Sequence, residues 1–211
     1  MAALTGANAM RRWGARRVGA AVAVIGPGTW AIEAIGSRTG IPFGRYRYTD
    51  VLRPTLGSVP AIVPAAWFAM AVPAREVAHA TLGRHSTPIR RVVLGAAALT
   101  AWDLFLDPQM VGEGYWRWSR VGRYRGIPAT NFLGWLVAGA AVMGVLERAL
   151  PPAAEPDPAL VAEYGFIGVM ETVGFARYFG DPLVAAVGGA AMLPFPVVAA
   201  ARSWRRPPGG A

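Results

Sequence analysis

The chain has 211 residues, 54% of them hydrophobic and only 16% charged, with a mean hydropathy of +0.35. That is too apolar for an ordinary soluble domain of this length, so it reads as one polytopic membrane domain. All the basic charge behind the net +9 is arginine, and there is no cysteine, which excludes disulfides and thiolate metal sites.

In chain order, residues 1–17 form a basic segment holding Arg11, Arg12, Arg16 and Arg17. It precedes an apolar run as a signal peptide does, but no small-residue cleavage site intervenes before Glu33, so the first span reads as uncleaved. Six apolar stretches follow, at 18–35, 58–74, 92–106, 132–146, 160–176 and 182–201. A crossing helix needs about 20 residues, so the shorter stretches must extend into flanking motif residues. The fold expected is all-α, a polytopic membrane helix bundle of about six transmembrane helices with two long motif-bearing loops on one side. The membrane-integral domain covers 18–204, and 205–211 is a disordered tail. Pro27, Pro64, Pro73, Pro194 and Pro196 fall in or beside spans, where neighbouring helices satisfy the freed carbonyls.

If all six stretches cross, the connections at 36–57, 107–131 and 177–181 share one face. Glu33, Asp103, Asp107 and Glu171 lie toward that face and should converge there. The opposite connections and the termini hold slightly more arginine, which favours cytoplasmic termini in an integral protein of the cell membrane. Arginines at span ends suit anionic lipid headgroups, with the lipid bilayer as partner and no nucleic acid. The connection at 75–91 contains His79 and His85 without a carboxylate or cysteine cluster, so no metal site is expected. The proline-rich 151–158 segment reads as a solvated linker. Gly-Arg-Tyr-Arg occurs at 44–47 and again at 122–125, and Gly-Ile-Pro at 40–42 and 126–128. Their order is reversed between the two loops, which argues against a repeat and for two separate uses of interfacial Tyr46, Tyr124 and arginine.

Asp103 and Asp107 are the best lead to chemistry. On a helix the i, i+4 spacing puts both carboxylates on one face. Acids at membrane depth usually face a bundle interior or a wet cavity. A carboxylic acid kept beside a carboxylate is equipped for proton transfer. The blander alternative is that Pro108 ends the helix and leaves Asp107 in a loop. Likewise Glu33 can pair with Arg38, and Glu171 with Arg177. Trp116 and Trp118 suit an interfacial aromatic belt, yet beside the acids they and Trp102 could line a pocket where a carbocation forms. Asn131 can cap its helix or hold a water.

Several strings in order resemble the membrane-integral carotenoid biosynthesis protein family, which includes carotenoid 1,2-hydratases. They are Glu33-Ala34-Ile35-Gly36, Thr39-Gly40-Ile41-Pro42-Phe43-Gly44-Arg45-Tyr46-Arg47-Tyr48, Val59-Pro60 with Trp67, Asp103-Leu104-Phe105-Leu106-Asp107-Pro108-Gln109-Met110, Trp116-Arg117-Trp118, and Gly126-Ile127-Pro128-Ala129-Thr130-Asn131-Phe132-Leu133-Gly134-Trp135. The resemblance covers roughly residues 30–135. Family members often carry a further span before the Glu33 motif, where this sequence has a short basic segment.

What the resemblance implies is hydration of the terminal C1–C2 double bond of an acyclic, membrane-embedded carotenoid to a tertiary alcohol, with neighbouring carotenoid-pathway enzymes as candidate partners. Asp103 or Asp107 would protonate C2, its partner would orient water, and Glu33 would tune or replenish the proton. Trp102, Trp116, Trp118, Tyr46, Asn131 and Glu171 would contact substrate. Hydration is redox-neutral and calls for no cofactor. The rival reading is a non-catalytic carotenoid-binding protein or a proton-coupled transporter, although a transporter usually shows internal pseudo-symmetry.

Overall fold

A computed structural model describes residues 1–204, so the tail expected to be disordered lies outside the described residues. The chain forms helices α1 (Ala2–Trp13), α2 (Ala15–Thr39), α3 (Ile62–Leu82), α4 (Pro88–Gly112), α5 (Ala129–Ala149), α6 (Pro158–Arg177), α7 (Pro182–Met192) and α8 (Pro194–Trp204). Strands β1 (Tyr46–Tyr48), β2 (Thr55–Leu56), β3 (Val59–Pro60) and β4 (Trp116–Trp118) lie in the connections. Each of the six apolar stretches falls mainly on helix, the second only from Ile62 onward. The last is divided at Leu193, where two prolines remove backbone donors.

Four helical segments are long and apolar enough to cross a membrane: α2, α5, α6 and Pro182–Trp204. Helices α3 and α4 are as long but carry charges, and they occupy the middle of the bundle. Every residue of α3 from Trp67 to His79 is buried. A helix shielded from lipid by its neighbours is free to carry polar side chains, and a lipid-facing one is not.

The basic N-terminal segment is itself structured. Helix α1 packs against α2 and α3, breaks at Gly14, and the chain re-enters helix at Ala15. Likewise the connection expected at 75–91 is mostly helical, because α3 runs to Leu82 and α4 begins at Pro88 behind the Thr87 cap.

Two long-range contacts place the three expected connections together. Strand β1 from the first pairs antiparallel with β4 from the second, in register Tyr46 to Trp118, Arg47 to Arg117 and Tyr48 to Trp116. Arg125 of the second forms an ion pair of 2.5 Å with Asp181 of the α6–α7 turn. Alternation along a strand sends Tyr46, Tyr48, Trp116 and Trp118 to one face and the arginines to the other. The aromatic face closes one end of the bundle. Phe43 anchors it because α2 and α5 lack side chains where its ring enters: a Cβ on Gly36 would meet the ring at 2.9 Å, and one on Gly134 at 2.7 Å. The second Gly-Arg-Tyr-Arg is no strand. Its Tyr124 hydroxyl donates to the Leu104 carbonyl of α4 at 2.8 Å, so the two copies do different jobs.

Candidate active site

Pro108 does not end α4. The helix continues through it to Gly112, so Asp103 and Asp107 stand on one inward face, one turn apart. Both are buried, at 0% and 2% exposure. Asn131, in the first turn of α5, links them: its amide nitrogen donates to Asp103 Oδ2 at 2.8 Å and also to Asp107 Oδ2. The residue therefore does not cap its helix, whose N-cap is Pro128; its side chain is turned into the bundle. The indole N–H of Trp116 donates to Asp107 Oδ1 at 3.1 Å. Asp103 Oδ1 is buried with no partner among the described residues.

Glu33 arrives from α2. It does not pair with Arg38, which is exposed. Instead the Tyr46 and Tyr48 hydroxyls both donate to Oε2, the latter at 2.8 Å, and the Trp67 indole donates to Oε1 at 3.0 Å. Burial first, and the Glu33 charge second, push both tyrosine hydroxyls well above the usual tyrosine range, so they stay protonated as donors. Among the described residues no arginine or histidine forms an ion pair with Glu33, Asp103 or Asp107.

A cavity of about 250 Å³ lies between these groups. Glu33, Asp107 and Asn131 line it together with Tyr46, Trp102, Trp116 and Trp118; Asp103 stands behind Asp107 and Asn131. Its blind end is built by Phe43 and by Trp67 stacked on Trp135, centroids 4.1 Å apart and ring planes nearly parallel at 8°. Trp102 meets Trp135 edge-on at 6.1 Å. Toward the surface the lining passes to half-buried Leu52, Val63, Met110 and Tyr115 and exposed Ile62. The opening is therefore apolar.

The expected convergence holds for three acids and not for Glu171. That residue sits half-buried on α6, away from the cavity lining, and no ion pair joins it to Arg177 among the described residues. Alternation fixes which end of a helix a residue occupies and says nothing about which side of the helix it faces. Tyr48, Trp67, Trp135 and Phe43 were present in the motif strings without a role. For Tyr48 the signal was available, since Tyr-Arg-Tyr and Trp-Arg-Trp both alternate with the period of a strand.

A helical membrane bundle with a buried acid pair and an aromatic cavity at one end is the class this structure defines. Residues 1–193 match the family described as carotenoid biosynthesis protein, and the chain belongs to that family. Bisanhydrobacterioruberin hydratase of Haloarcula japonica is 33% identical over 127 residues, which is 59% of this chain and 43% of that protein. The similarity thus spans less than half of the curated relative. No solved structure matches the chain.

Proposed function

We propose that the protein is a cofactor-independent hydro-lyase that hydrates the terminal C1–C2 double bond of an acyclic carotenoid end group to a tertiary alcohol. The observation that carries the reading is a carboxyl pair without a cationic partner among the described residues, one member of which lines an aromatic cavity, within a family devoted to carotenoids. A trisubstituted alkene is a poor base, so an acid must reach it in a dry site. Asp107 lines the cavity, which supports it as the acid that protonates C2. Asp103, bridged to it by Asn131, is the partner that keeps a proton at the pair. The tertiary cation at C1 is stabilised by the faces of Trp102, Trp116 and Trp118, and water then adds to it.

The cavity is smaller than the roughly 300–1,000 Å³ of pockets that enclose a drug-sized ligand. It accommodates the end of a polyene, with the remaining chain running out past Ile62 and Met110 into lipid. Expression in a host that makes lycopene tests this. The pigment should gain the mass of one water per reacted end, with oxygen from labelled water and one deuterium at C2 in deuterated water, and the reaction should proceed without dioxygen. Oxygen label from dioxygen would replace the hydratase by a hydroxylase.

All six apolar stretches are taken to cross the cell membrane, with termini in the cytoplasm. Single cysteines at Ser37, Ser119 and Gly180 should then be labelled from outside the cell, and one at Ala154 from the cytoplasm.

A further inference from the structure

The cavity has two acidic walls, and they are built differently. On one, Asp103 and Asp107 share a single amide group, the Trp116 indole adds one donor to Asp107, and one oxygen of Asp103 has no partner among the described residues. Two full negative charges on one amide and one indole are poorly served, so this wall suits a pair that holds a proton between its members. On the other, Glu33 accepts three N–H and O–H donors, which suits an anion. Beside Tyr46, with ring centroids 5.1 Å apart, Trp118 lines the same cavity, and its indole N–H is buried without an acceptor among the described residues. A water oxygen at that N–H would satisfy it.

We propose that Glu33, held by Tyr46, Tyr48 and Trp67, is the base that takes the proton of the attacking water, with the water held by Trp118. This rests on the hydration reading above and divides its two proton transfers between facing walls. In the first step the Asp107 O–H bond breaks and its proton forms the new C–H bond at C2, leaving the cation at C1. In the second a lone pair of water forms the C–O bond at C1 while the water O–H proton passes to the Glu33 carboxylate. Asp107 ends as carboxylate and Glu33 as acid. One proton returned across the cavity resets the site, and Tyr46 stands on that route, bound to Glu33 and within the field of Asp107.

An anionic nucleophile needs no proton removed, and this separates a base from a structural residue. Purified wild type, Glu33→Gln, Tyr48→Phe and Asp107→Asn are incubated with lycopene in lipid nanodiscs, with and without sodium azide. General-base loss removes about 100-fold or more in rate, so alcohol from Glu33→Gln should fall by that factor. Azide should restore conversion by bonding C1 directly, giving a tertiary azide identified by mass, while Asp107→Asn yields neither product. Tyr48→Phe should lose about tenfold in alcohol and also be relieved by azide.

Alcohol at the wild-type rate from Glu33→Gln overturns the assignment. So does a Glu33→Gln protein that elutes and melts as wild type yet gives no azide adduct. If that variant does not accumulate, undiminished alcohol from Tyr48→Phe overturns it instead. A wild-type enzyme that forms no alcohol refutes the hydration reading itself, and this assignment falls with it.

Discussion

The bundle buries acids at both ends, and the Arg75 network treats its acids in the opposite way to the cavity. At the end away from the cavity, Arg75 is fully buried and donates to Glu147 at 2.8 Å, to Glu76 at 2.9 Å and to the Leu150 carbonyl at 2.7 Å. Arg91 holds the same Glu147 at 2.5 Å, and Glu76 accepts the backbone N–H of Asp157 at 2.7 Å. Asp157 in turn caps α6 and meets Arg11. Each of these three acids has a cation or a backbone donor, whereas Glu163 on α6, also outside the cavity, accepts only the Thr5 hydroxyl among the described residues. At the cavity end, the acids have only neutral donors among the described residues. Charge that is compensated holds helices together; charge left without a counterion is available for proton transfer.

The contrast breaks most readily at Asp107. Asp107→Asn should lower hydration by about 10²–10⁴-fold, because an amide cannot deliver the proton, and Asp103→Asn should follow closely. Pigment analysis against the amount of folded protein measures both. Normal hydroxylated pigment from either variant would remove that aspartate from the reaction.

Stability should change with opposite sign at the two ends. Removing Arg75, as in Arg75→Met, strands Glu76 and part of the demand of Glu147 in the interior, and breaking a buried pair this way costs about 3–5 kcal/mol. Asp103→Asn removes an uncompensated acid and keeps an oxygen for Asn131, so it should raise stability by about 1 kcal/mol while abolishing turnover. Thermal unfolding in detergent reads both. If the two variants shift the transition in the same direction, the division into a structural and a chemical end is wrong.

Legibility followed the same division. The lipid-facing helices were readable because lipid demands apolar residues all along them, and the Asp pair because i, i+4 spacing is a local property of one helix. The arginine network was hidden by reading 75–91 as a connection: Arg75 and Arg91 look like loop charges until α3 is seen to extend to Leu82. The 151–158 segment hides its partners too, since Asp157 is buried and the Trp13 indole donates to the Pro151 carbonyl at 2.9 Å. The Asn131 bridge and the β1–β4 pairing join residues from different helices or loops. No local period encodes such contacts, even where, as in Tyr-Arg-Tyr, the period announces a strand.

Tryptophan gives the finest test of the comparison, because both ends use it. At the arginine end, the Arg75 guanidinium lies over the Trp13 ring, 5.7 Å from its centroid. That cation is present permanently, so the contact belongs to folding. At the cavity end Trp102 has no such partner among the described residues, and its face gains a cation only when C1 becomes one. Replacing tryptophan by phenylalanine weakens the ring's attraction for a cation and keeps an aromatic in place, a change of about 0.5–1 kcal/mol. Trp13→Phe should therefore lower the unfolding temperature slightly and leave kcat untouched. Trp102→Phe should leave stability nearly unchanged and lower kcat about threefold, with little effect on KM, because an interaction that appears only in the transition state acts on turnover. A Trp102→Phe enzyme that loses carotenoid affinity at unchanged kcat would make Trp102 a wall of the binding cavity and nothing more.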